Sequence, residues 1–244
     1  MYEYESRVRY SELDENGRIR LLSLLNYLQD ASTFHGVDCG MTTQHFKEIH
    51  RAWFINYWDI RIGGLPADGE RIRIGTSPHD LKGLFAYRNF WISDLKEENY
   101  FVKADSIWFL VNTDTMLPQK LVPEDLAPYG DQEDLLKLGL KTRKVVIGAD
   151  AGLRVIGEKK ITREMLDTNH HVNNIRYISA AYDALGEAGL IAPKSYPSRI
   201  RAEYKHAAAF GDTFVYQAAE KDSGYLMSLT SPDGREFCHV EFTV

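Results

Sequence analysis

The chain has 244 residues, 44% of them hydrophobic, which is enough for one large core or two domains of roughly 120 residues and too apolar for a disordered chain. Its 29 Lys and Arg against 35 Asp and Glu give a formal charge of −6, which argues against nucleic acid and anionic membrane as bulk partners. Cys39 and Cys238 lie in opposite halves without metal-ligand spacing, so a reducing, cytoplasmic compartment with both thiols as packing residues is expected.

The opening residues Met1-Tyr2-Glu3-Tyr4-Glu5 have no basic stretch or apolar run, and no long apolar segment follows, so neither a targeting nor a membrane-spanning segment is expected. Residues 2–10 alternate loosely as a strand. Leu21, Leu24, Leu25 and Leu28 then recur at helical spacing and predict a helix over 19–34, closed by Gly36 and Gly40. A short second helix is expected over 42–49. Strands follow at 54–62, 71–77, 84–93 and 101–111, separated by turn-forming segments such as Gly63-Gly64-Leu65-Pro66-Ala67-Asp68-Gly69. Residues 114–144, broken by Pro118, Pro123 and Pro128, read as a linker.

Beyond the linker the order restarts, with a strand at 153–161, a helix over 174–188, and strands at 199–206, 213–220, 225–230 and 236–243. The repeat is visible in residues too. Leu13-Asp14-Glu15-Asn16 and Leu166-Asp167-Thr168-Asn169 both precede the long helix, 153 residues apart, and Asp30-Ala31 falls on Asp183-Ala184 at the same offset. Downstream, Pro66-Ala67-Asp68-Gly69-Glu70 is matched to Ala209-Phe210-Gly211-Asp212-Thr213 at an offset of 143. The expected fold class is α+β: two units in tandem, each a long helix wrapped by an antiparallel sheet that buries its apolar face on it. The domains expected are 1–140 and 141–244.

The chemistry-bearing cluster is Leu166-Asp167-Thr168-Asn169-His170-His171-Val172-Asn173-Asn174 at a helix entrance. Unpaired N–H groups there stabilise developing negative charge, and Asp and His can relay protons to and from a water, as ester or thioester hydrolysis requires. Asp and Asn are equally favoured in turns and caps, so Asp167 or Asn173 capping the helix is the plainer reading of the same residues. The repeat separates turn from chemistry: Asp14 and Asn16 persist in the first copy, but Arg18 stands where the second has His171. His45, Glu48 and His50 miss metalloprotease spacing and fit a surface helix. No phosphate loop, dinucleotide fingerprint or Gly-x-Ser-x-Gly elbow occurs, so no cofactor or metal is expected. Trp53, Phe54, Tyr57, Trp58, Trp108 and Phe109 would serve equally as core or as the lining of an apolar tunnel.

The motif 166–174, followed by Arg176-Tyr177-Ile178, resembles the Asp-x-Asn-x-His-Val-Asn-Asn signature of the acyl-acyl carrier protein thioesterases, a double-hotdog family of bacteria and plant plastids. Similar segments include residues 53–76, Ala104-Asp105-Ser106-Ile107-Trp108-Phe109-Leu110, Lys120-Leu121-Val122-Pro123-Glu124 and Glu203-Tyr204-Lys205. The resemblance implies a thioester hydrolase that releases fatty acid from acyl carrier protein in fatty acid biosynthesis, with Asp167, Asn169 and His171 as active-site residues and the first hotdog holding the acyl chain. An acyl-coenzyme A thioesterase and a non-catalytic acyl-binding hotdog are the alternatives. The sequence departs from the family at Ala207 and Ala208, where relatives carry an acidic residue and often a cysteine on the following strand. Strand alternation would put Glu203 on the face of Ala207, about 13 Å away, and His206 on the other. Lys159, Lys160, Arg163, Arg176, Arg199, Arg201 and Lys205 are expected to gather near the entrance for an acidic carrier protein, and the oligomeric state, a homodimer included, stays open.

Overall fold

The computed structural model describes residues 1–140 and 142–244. The chain divides into two compact units, Met1–Lys141 and Thr142–Val244. In the first, strand β1 (Tyr2–Arg7) leads through a 3-10 turn (Tyr10–Glu12) to helix α1 (Leu21–Asp38), then α2 (Thr43–Glu48) and the long strands β2 (Arg51–Ile62), β3 (Arg71–Lys82), β4 (Phe85–Asp94) and β5 (Tyr100–Asn112). The region read as linker carries a short strand β6 (Leu117–Gln119) on β5, helix α3 (Pro123–Leu126) and a 3-10 turn (Ala127–Tyr129). The second unit has β7 (Arg154–Lys160), a 3-10 turn (Arg163–Met165), α4 (Asn174–Glu187), and β8 (Arg199–Tyr204), β9 (Thr213–Lys221), β10 (Gly224–Thr230) and β11 (Glu236–Thr243).

Both sheets are antiparallel and have one topology. In the first unit the strand order is β1-β3-β4-β5-β2 and in the second β7-β9-β10-β11-β8, the same permutation of first to fifth strand. Each unit's one long helix packs on its own sheet, α1 on β1, β3 and β4, α4 on β7, β9, β10 and β11. The helical spacing of the leucines explains why: Leu21, Leu24, Leu25, Leu28 and Ala31 are all buried. Each leucine so buried contributes about 1.5–3 kcal/mol. The matching stripe on α4 is Ile175, Tyr177, Ile178, Ala181 and Leu185.

The helix ends differ from expectation at one point. Gly36 lies inside α1, because its missing side chain lets the Gly36 carbonyl accept the Met41 N–H at 2.7 Å, where an added Cβ would meet Met41 O at 3.0 Å. Gly40, at φ +77°, follows the true end. The downstream match is also shifted by one residue. Glu70 N–H donates to Ala67 O and Ala67 N–H to Glu70 Oε2, while Asp212 N–H donates to Ala209 O and Ala209 N–H to Asp212 Oδ2. The reciprocal bonds pair Ala67 with Ala209 and Glu70 with Asp212, an offset of 142. No helix among the described residues is long and apolar enough to cross a membrane.

Candidate functional site

Leu166 and Val172 pair as an isolated antiparallel bridge, closing a tight loop over residues 167–171. The carboxylate of Asp167 is turned into this loop: its Oδ1 accepts the backbone N–H of Asn169 at 2.7 Å and of His171 at 3.3 Å. Backbone bonds complete the ring, from Asp167 N–H to His171 O at 2.8 Å and from His170 N–H to Asp167 O at 3.1 Å. His170 takes the left-handed conformation, φ 62°, that so short a loop needs. Asn173 caps α4, its Oδ1 accepting the N–H of Ile175 at 3.2 Å. Of the two capping readings, Asn173 is therefore the cap and Asp167 the staple of the loop.

The three residues singled out from sequence stand together but not in hydrogen-bond contact through their side chains. The Asn169 side chain is exposed. The His171 ring is half-buried, with Nδ1 sealed from solvent and unpartnered among the described residues, so Nε2 is the nitrogen left for a reacting molecule. A buried ring nitrogen without a partner costs about 1–3 kcal/mol, which a fold tolerates most readily where the group has work to do.

A second segment lies against the loop. Val172 N–H donates to Ala208 O at 2.8 Å, His171 bridges Ala209, and Ala208 N–H donates to the Tyr177 hydroxyl at 2.8 Å. The expectation that residues 203–208 run on one strand fails, because Lys205 and His206 both donate their N–H to the single carbonyl of Phe237. Two residues opposite one partner end the ladder, so β8 stops at Tyr204 and strand alternation does not reach Ala207. Ala207 is exposed and Ala208 buried. Glu203 is committed elsewhere: Oε2 accepts Val145 N–H at 2.8 Å and Oε1 pairs with Lys205 at 3.2 Å. His206 Nδ1 meets Glu236 O at 2.7 Å. Cys238 is fully buried and desolvation pushes its thiol well above the ordinary value, which rules it out as a nucleophile at neutral pH.

The basic residues expected at the entrance separate into two sets. Arg201 is held by Glu241 at 2.8 Å and by Lys144 O, and Lys205 by Glu203. Lys159, Lys160 and Arg163 are exposed, with Arg163 stacked 4.6 Å from the exposed ring of Phe210. Elsewhere, His50 pairs with Asp114 and Glu48 accepts from Gln44, and the described residues contain no cluster of three potential metal ligands. Cys39 and Cys238 are both free thiols.

Two helix-on-sheet units with matching strand order, the second bearing an acid, amide and imidazole loop at its helix entrance, define a double hotdog. Residues 1–129 match the model of the acyl-ACP thioesterase N-terminal domain and residues 156–242 that of the C-terminal domain, so the chain belongs to the acyl-ACP thioesterase family. It is 26% identical over 198 residues to oleoyl-acyl carrier protein thioesterase 1 of Arabidopsis thaliana, covering 75% of this chain and 54% of the relative. The chain spans about half the length of the curated relatives it matches. An acyl-ACP thioesterase from Bacteroides thetaiotaomicron superposes with a TM-score of 0.83 at 21% identity, over 99% of this chain and 96% of that one. The 12:0-ACP thioesterase from Umbellularia californica does so with 0.84 at 17%, over the same shares. At these identities the superpositions speak for the fold.

Proposed function

We propose that the chain hydrolyses the thioester joining a fatty acyl chain to the phosphopantetheine arm of acyl carrier protein, releasing the free acid and the carrier thiol in fatty acid biosynthesis. The observation that carries this reading is the loop 166–172 within a chain of this family: a stapled turn that presents one half-buried imidazole at the start of α4. His171 Nε2 takes a proton from water as the water oxygen attacks the carbonyl carbon. Collapse of the tetrahedral intermediate breaks the C–S bond, and the imidazolium returns the proton to the departing thiolate. Asn169, exposed beside the loop, supplies an amide N–H for the oxyanion together with backbone N–H groups. Asp167 acts through the loop, holding the backbone of Asn169 and His171 in register.

The first unit, which has Arg18 in place of the imidazole, is the proposed holder of the acyl chain. Its interior supports this with an apolar cluster of Ala86, Leu110, Leu121 and Leu126 flanked by Trp53 and Trp108. Lys159, Lys160 and Arg163 form the proposed contact for the acidic carrier. The free thiols fit a reducing compartment such as the cytoplasm. Turnover of matched acyl-carrier-protein and acyl-coenzyme A substrates tests the reading. A higher kcat/KM on the carrier substrate, reduced by salt, is expected; tight acyl binding with no turnover on either would overturn it.

A further inference from the structure

We infer that Tyr177 is a positioning residue of this site, the hydroxyl that fixes the Ala207–Ala209 segment and through it the placement of His171. The inference rests on the proposed hydrolase reading. Tyr177 lies one turn into α4 with its ring buried against Tyr204 and Phe214, at centroid distances of 5.6 and 5.1 Å. Its hydroxyl accepts the N–H of Ala208, a fully buried residue, and the Ala208 carbonyl in turn accepts the N–H of Val172, directly after His171. The Ala208 peptide is thus gripped on both sides by the motif and the helix it opens, and the next residue, Ala209, bridges His171 itself. With β8 ending at Tyr204, this grip is what replaces strand pairing in setting the segment's position.

The first unit shows that the fold does not require the arrangement. The helix entrances correspond at 153 residues: Arg20 N–H donates to Glu12 O at 2.8 Å and Asn173 N–H to Met165 O at 2.9 Å. At that offset Tyr177 falls on Leu24, which is equally buried. The downstream turns correspond at 142 residues, and there Ala208 falls on Pro66, also buried. Where the helix offers no acceptor, the facing residue has no N–H to satisfy; where the facing residue has an N–H, the helix offers a phenol. Both pairs meet the demand that buried donors be satisfied. Only the unit that carries the imidazole uses the directional hydrogen bond, which fixes the distance between helix and segment more tightly than apolar contact does.

The test compares wild type, His171→Ala, Tyr177→Phe and the double variant Tyr177→Leu/Ala208→Pro, which transplants the first unit's pair, for kcat, KM and Tm on one acyl thioester. Tyr177→Phe is expected to lower kcat at least tenfold with KM within twofold of wild type. The double variant, having no unsatisfied N–H, is expected to recover the wild-type Tm while kcat stays at least tenfold down. Wild-type kcat in either Tyr177 variant, with His171→Ala inactive, overturns the inference. So does failure of both variants to fold, which would assign the pair to stability. Full turnover by His171→Ala overturns the hydrolase reading instead, a result distinct from any of these.

Discussion

The loops at residues 13–19 and 166–172 are the same object built twice. Leu13 bridges Ile19 as Leu166 bridges Val172. Asp14 Oδ1 accepts the N–H groups of Asn16 and Arg18 at 2.8 and 2.9 Å, as Asp167 Oδ1 accepts those of Asn169 and His171. Even the backbone bond from the aspartate N–H to the fifth residue's carbonyl recurs, at 2.7 and 2.8 Å. A carboxylate that performs identical work in a unit without the imidazole is there to hold the loop. What differs is the side chain at its last position, where Arg18 turns back to Asp14 Oδ2 at 3.2 Å and His171 leaves a buried Nδ1 unpaired. The first loop is closed on itself; the second points its charge-bearing group outward.

The sharpest way to break the comparison is therefore His171→Ala, which is expected to lower kcat by roughly 10²–10⁴ with little change in Tm, since the side chain makes no hydrogen bond within the protein. Steady-state hydrolysis and a melting curve check both halves.

A second contrast lies in the cores. His35, buried on α1, accepts from Arg88 through Nδ1 at 3.2 Å and stacks against Tyr2, whereas the position 153 residues on is Ala188. Burial, followed by the Arg88 guanidinium, pushes the His35 pKa down from 6.5 to about 4, so the native unit holds this imidazole neutral. The unfolded chain binds the proton first, so this contribution is full above the ordinary pKa of 6.5 and is lost as pH falls toward 4, by up to about 3 kcal/mol. All four tryptophans, Trp53, Trp58, Trp91 and Trp108, belong to the first unit, so their fluorescence reports it alone. Denaturant midpoints from that signal are expected to drop between pH 7 and pH 4.5, and His35→Asn to flatten the dependence. A midpoint equally steep in the variant would assign the acid sensitivity elsewhere.

Next in size is the paired substitution Asp14→Ala and Asp167→Ala. Each removes an acceptor of two backbone N–H groups and is expected to cost about 1–2 kcal/mol of stability, by analogy with lost caps. Only Asp167→Ala should lower kcat. Burial raises the pKa of Asp14, but the backbone N–H groups of Arg18 and Asn16 and the Arg18 guanidinium outweigh it and hold the carboxyl below its ordinary value. Its contribution is accordingly present above the ordinary carboxylate range and disappears as the pH falls through the lowered pKa. Equal kinetic damage from both substitutions would mean that Asp14 serves the reaction as well.

The sequence shows much of this. Leucine spacing located α1, alternation located the strands, and the two Leu-Asp-x-Asn segments located both loops, because each signal is local. The errors came from contacts made at a distance. Gly36 looks like a helix stop until Met41 is known to pack over it. Residues 199–206 look like one strand until Lys205 and His206 are seen to share the Phe237 carbonyl. Glu203 looks available for chemistry until Val145, 58 residues upstream, is found on its carboxylate. Tyr177 was quoted as part of the motif, but its bond to Ala208 spans 31 residues; the trace it leaves in sequence is the exchange of Tyr177 and Ala208 for Leu24 and Pro66 between the copies.

The smallest test concerns the fourth loop position, Gly17 at φ 73° in the first copy and His170 at φ 62° in the second. Both units need the left-handed conformation there, yet only the first uses the residue that adopts it without a steric cost of about 1–2 kcal/mol. His170 is exposed, and its imidazole makes no hydrogen bond that would repay that cost. His170→Gly is expected to relieve the strain, offset partly by the extra freedom of glycine in the unfolded chain, for a net gain of about 0.5–1 kcal/mol and a Tm rise of a few degrees. If His170 serves only the turn, kcat is unchanged. A fall in kcat alongside the higher Tm would show that strain is retained at this position because the second imidazole takes part in turnover.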